Sequence, residues 1–82
     1  MNHKKSRQVI LKATSFRAQE QYDQCIKLIM DNLPQIDPDV QMNAWLEIFR
    51  AATEKGDDVL ARRAAREVAR HHPGLPAIQD YL

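Results

Sequence analysis

Glycine is nearly absent from this 82-residue chain: only Gly56 and Gly74 occur. That scarcity disfavours a sheet with many tight turns and suits helices with sparse punctuation. There is one cysteine, Cys25. No disulfide can close within the chain, which excludes a small secreted scaffold stapled by bridges. Neither sign of charge dominates, and the net charge is +1. No global field therefore draws the molecule toward nucleic acid or membrane. The apolar run Val9-Ile10-Leu11 near the basic start is far too short for a signal-peptide core, and no segment approaches a membrane span. Phosphate loops, paired-glycine fingerprints and zinc-ligand spacings are missing too. These absences together lead to the expectation of a cytoplasmic protein with no cofactor, no metal and no membrane contact, and of a protein that is not an enzyme.

What is present is helical periodicity. Val9, Ile10, Ala13 and Phe16 share one face of a first stretch. Tyr22, Cys25, Ile26, Ile29 and Leu33 recur at helical spacing in a second. Trp45, Ile48, Phe49 and Ala52 follow the i, i+3, i+4, i+7 pattern in a third. Leu60, Ala61, Ala64, Ala65 and Val68 do so in a fourth. Pro34 predicts that the second helix stops near Leu33. In "QIDPDV", Asp37 is expected to cap the third helix, with Pro38 at its first position. In "KGDDV", Gly56 is expected to close that helix in a left-handed conformation, with Asp57 capping the next. The segment "HHPGLPAIQDYL" ends the fourth helix before Pro73 and begins a short helix at Pro76.

Short connections force neighbouring helices to run antiparallel. The chain therefore reads as one all-α domain spanning 1–82: a hairpin over about 6–33, a second over about 38–72, and a cap over about 75–82. A chain this short buries only about 60% of its unfolded surface, so its core is small.

Four residues of the second hairpin carry a family pattern. Trp45 precedes Gly56 by 11 positions, Gly56 precedes Ala61 by 5, and Ala61 precedes Pro73 by 12. This set of spacings resembles the tetratricopeptide repeat, a helix-turn-helix unit of about 34 residues. Trp45 would wedge between the paired helices, Gly56 would form the turn, Ala61 would permit close approach, and Pro73 would end the unit. The first hairpin matches at fewer positions, through Phe16, Tyr22, Cys25 and Asp37-Pro38, and has neither the Trp nor a turn Gly. The resemblance implies a right-handed stack of hairpins that acts as an interaction scaffold, adaptor or chaperone. A secretion-type chaperone falls within that class.

In that family the first helix of each hairpin usually lines the ligand groove. The corresponding residues here are Leu11, Lys12 and Ser15, then Leu46, Glu47 and Arg50. Leu11 and Leu46 lie off the packed faces and suit an apolar peptide or helix of a protein partner. The rival reading is a regulator that contacts nucleic acid through Arg62, Arg66 and Arg70, which form one stripe at i, i+4, i+8. A solvated face is the simpler account of such a charge run. His71 and His72 are adjacent on a helix, about 100° apart, and so make a poor chelate. Cys25 lies on an apolar face, as a packing residue would. Two hairpins leave a stack with two ends. Leu75, Ile78, Tyr81 and Leu82 are expected to cover one, and a homodimer or an obligate partner the other.

Overall fold

A computed structural model describes all residues, Met1–Leu82. The fold is all-helical, without a strand. Four α-helices follow in order: α1 (His3–Ala18), α2 (Tyr22–Asn32), α3 (Gln41–Lys55) and α4 (Asp58–Ala69). Short 3₁₀ segments occupy Leu33–Gln35, Pro38–Val40 and Pro76–Tyr81. Helix α1 packs on α2, α3 on α4, and α2 on α3. No helix is long and apolar enough to cross a membrane.

The helix ends follow from specific hydrogen bonds. Asn2 opens α1 by accepting from the Lys5 N–H at 2.8 Å. Asp57 opens α4 by accepting from the Leu60 N–H at 3.1 Å. Each side chain satisfies one of the amides that a helix start leaves unpaired. At the end of α3, Gly56 has φ +84°. The Asp57 N–H there donates to the Ala52 carbonyl and the Gly56 N–H to that of Thr53. This pair of bonds is a Schellman closure.

The end of α1 repeats the arrangement without glycine. Glu20 has φ +61°, the one positive value outside glycine. The Gln21 N–H donates to the Phe16 carbonyl and the Glu20 N–H to that of Arg17. The first hairpin therefore does contain a turn of the same type, formed by a residue whose side chain resists that conformation. The two turn residues, 20 and 56, stand 36 positions apart. The same interval relates buried pairs: Ala13 and Phe49, Cys25 and Ala61, Ile29 and Ala65.

Two sequence expectations about boundaries need correction. Asp37 does not cap α3. It accepts from the Asp39 N–H at 2.9 Å and caps the 3₁₀ turn at Pro38–Val40, and α3 starts at Gln41. Helix α1 starts at His3 rather than near residue 6. The short C-terminal helix begins at Pro76 as expected and is of the 3₁₀ type. The linker between hairpins is held from both sides. The buried Ser6 hydroxyl accepts from the Asp37 N–H at 2.9 Å, and the Gln41 amide donates to the carbonyls of Leu33 and Ile36.

The core runs through both hairpins. Trp45 is only 6% exposed, and the Arg63 guanidinium lies 5.4 Å from its ring centroid. A cation over an indole face is attractive, and here it covers the outer side of the core. Ala61, Ala64 and Ala65 are fully buried on α4. Their small side chains allow close contact with α3, where most of the bulk resides. At the C-terminus Ile78 is fully buried, and Tyr81 meets Phe49 edge-to-face at 5.1 Å. Leu75 and Tyr81 pack against this end as well. Leu82 does not join them and remains 57% exposed.

Candidate binding groove

Helices α1 and α3 leave a groove of about 270 Å³ between them. Helix α1 contributes Arg7, Ile10, Leu11 and Thr14, and α3 contributes Asn43, Leu46, Glu47 and Arg50. Each set follows i, i+3, i+4, i+7, so each comes from one helical face. The sets are also related by the 36-residue interval, Arg7 to Asn43 through Thr14 to Arg50. Equivalent positions of the two hairpins thus meet in one surface.

The lining combines two kinds of contact. Ile10, Leu11 and Leu46 supply apolar surface, and Leu11 is 67% exposed. Arg7 and Arg50 supply guanidinium donors. The Thr14 hydroxyl already donates to the Ile10 carbonyl at 3.0 Å, which fixes its rotamer.

Glu47 departs from this pattern. It is 2% exposed, and its Oε1 accepts from Arg17 Nε at 2.7 Å. Its Oε2 lies 3.6 Å from Arg50 Nη1, an ion pair beyond ordinary hydrogen-bond length. Arg17 also reaches Glu54 at 2.6 Å. One guanidinium of α1 thus holds two carboxylates of α3, and it fixes how the helices lie along the groove. Burial pulls the Arg17 pKa down, but the hydrogen bonds to Glu47 and Glu54 outweigh it, so the value ends above the ordinary one. A second tie joins Lys55 at the end of α3 to Asp23 of α2, and this hydrogen bond raises the Lys55 pKa.

Cys25 is fully buried. Its thiol is pushed up to about 11, first by burial and then by the negative charge of Glu47. At neutral pH it is a protonated packing group, not a thiolate nucleophile.

Of the residues expected in the groove, Leu11, Leu46, Glu47 and Arg50 do line it. Lys12 does not. It borders a separate depression with Met1, Lys5, Val9 and Leu28. Ser15 lines neither, and its hydroxyl accepts from the Gln19 amide at 3.4 Å. Both sit one position beyond the inward row, because Leu11 and Thr14 take the groove-facing places. Arg7, Ile10, Thr14 and Arg17 were missed. Moving the α3 set back by one repeat would have found the first three.

Arg62 and Arg66 on α4 and Arg70 at its C-cap are exposed and do not approach the groove. His71 and His72 are exposed as well, and no three His, Cys, Asp or Glu side chains converge as a metal cluster. No protein-family model matches the chain, and no curated protein and no solved structure shows significant similarity to it.

Proposed function

We propose that this protein is a small interaction module of the tetratricopeptide-repeat type, an adaptor or chaperone that holds a segment of a protein partner between α1 and α3. The observation that carries the proposal is the groove lining. Positions related by one repeat, Ile10 with Leu46 and Arg7 with Asn43, converge on one surface. The spacing of Trp45, Gly56, Ala61 and Pro73 supports the family assignment, as does the left-handed turn closing each first helix. Exposed leucine alone is ordinary. Here Leu11 and Leu46 adjoin two guanidiniums, a combination that suits a short helix or extended peptide with apolar residues beside a carboxylate.

Peptide display against the folded protein tests this. Bound sequences are expected to carry leucine-like residues near Asp or Glu. Their amide shift changes in NMR should map to α1 and α3. Leu11→Glu should abolish binding while leaving the circular dichroism unchanged, and Leu46→Ala, at a half-buried position, should weaken it. Peptides whose affinity ignores both substitutions would overturn the proposal.

A further inference from the structure

Every cation of α4 and its C-cap is an arginine: Arg62, Arg63 and Arg66 in the helix and Arg70 at the cap. Arg63 is engaged over Trp45. Arg70 lies 3.6 Å from Glu67 and is still 75% exposed. Arg62 and Arg66 make no ion pair at all. Their repeat equivalents explain why this face is unusual. Ile26 and Met30, 36 positions earlier, are half-buried and pack against the core. A further hairpin would need apolar residues at 62 and 66 to stack there. Arginine at both positions leaves an exposed cationic face beside the C-terminal segment that packs on α4.

We infer that the Arg62–Arg66–Arg70 face binds the phosphate backbone of a nucleic-acid duplex, independently of the α1–α3 groove. Its chemistry selects this occupant over an acidic protein surface. Protein interfaces centre on apolar and aromatic anchors, and this face offers only Val59 and Ala69 beside the arginines, with Asp58 at the head of the row. Duplex interfaces are strongly cationic and rest on phosphate contacts. The three guanidiniums repeat about every 6 Å along one side of a rigid helix. Each presents a planar fork suited to phosphate oxygens, which lysine lacks. Helix α4 carries no aromatic ring to stack unpaired bases. Without a stacking ring, binding favours a duplex over a single strand.

Fluorescence anisotropy with a labelled 20-base-pair DNA of mixed sequence tests this, using the full chain at concentrations up to the non-specific range of about 10⁻⁴ M. Three phosphate contacts predict about a 40-fold loss of affinity between 50 and 200 mM salt. R62Q/R66Q/R70Q should lose binding, and R62E/R66E/R70E should do so more completely. Circular dichroism of both should match wild type. Leu11→Ala, at an exposed groove position, should bind the duplex as wild type does, which separates this face from the groove. Absence of wild-type binding at 50 mM salt would overturn the proposal. So would unchanged binding by the folded triple variants, or tighter binding to polyglutamate or to single-stranded DNA than to the duplex.

Discussion

Removing Arg17 isolates a carboxylate that cannot reach water. In Arg17→Met, Glu47 keeps only Arg50, 3.6 Å away, while 98% of its surface is covered by protein. Breaking a buried pair from one side costs about 3–5 kcal/mol, because the remaining charge is desolvated and uncompensated. Arg50 offsets part of this, so we expect about 3 kcal/mol. The reverse change is milder. In Glu47→Gln the amide oxygen still accepts from Arg17, and the guanidinium, 22% exposed, keeps both Glu54 and water. That change should cost about 1 kcal/mol. The double variant Arg17→Met/Glu47→Met replaces the pair with apolar volume and should recover most of the loss. Urea unfolding followed by Trp45 fluorescence measures all three. With a slope near 1 kcal/mol/M, Arg17→Met lowers the midpoint by about 3 M, enough to unfold much of a domain with so small a core. Thermal melts should shift by about 12–24 °C. A loss below about 1 kcal/mol for Arg17→Met, or a larger loss for Glu47→Gln than for Arg17→Met, would refute this account of the groove floor.

Trp45→Ala should cost about 3–5 kcal/mol, and native Trp45 should emit at the blue-shifted maximum of a buried indole. Fully hydrated emission would contradict its 6% exposure. Gly56→Val should destabilise by more than about 1 kcal/mol through backbone strain alone, since no atom lies within 4 Å of where its Cβ would be. Glu20→Gly, at φ +61°, should instead stabilise by roughly 0.5–1 kcal/mol, and a matched pair of melts checks both signs. Cys25 retains its proton in the folded state up to about pH 11, against an ordinary value of 9.0. Its stabilising contribution is therefore complete below pH 9 and declines as pH rises from 9 to 11, by at most roughly 2–3 kcal/mol. Cys25→Ala should remove that part of the decline, and an unchanged pH profile would argue against it. Should a homodimer form through the depression holding Met1, Val9 and Leu28, it must bring Lys5 and Lys12 of two copies together. Sedimentation should then show association strengthening with salt, and Val9→Glu should abolish it.

Several features were legible from residue order because their causes are local. Four helices follow from apolar periodicity, and the stop at Asn32 follows from Pro34, which cannot continue a helix. Gly56 closes α3 because glycine alone enters positive φ without strain, and Asp57 caps α4 because its side chain reaches an amide three residues on. Leu11 could be identified as free of the core since it falls off the apolar stripe of α1, whereas Leu46, expected to be free in the same way, is half-buried and packs against the core.

Other features needed the folded chain. The turn at Glu20 carries no glycine signal, because tertiary packing of α1 on α2 imposes a conformation that a glutamate would not choose. Asp37-Pro38 has the form of an α-helix start, yet the linker, tethered by Ser6 and Gln41, first makes a 3₁₀ turn. Glu47 has the composition of a surface residue. Its burial depends on Arg17, 30 positions earlier, arriving within 2.7 Å. Local sequence determines which residues form helices and where those helices stop. Which charge is desolvated, and which faces combine into a groove, depends on the relative placement of helices, a long-range balance of burial and pairing that no short stretch of sequence encodes.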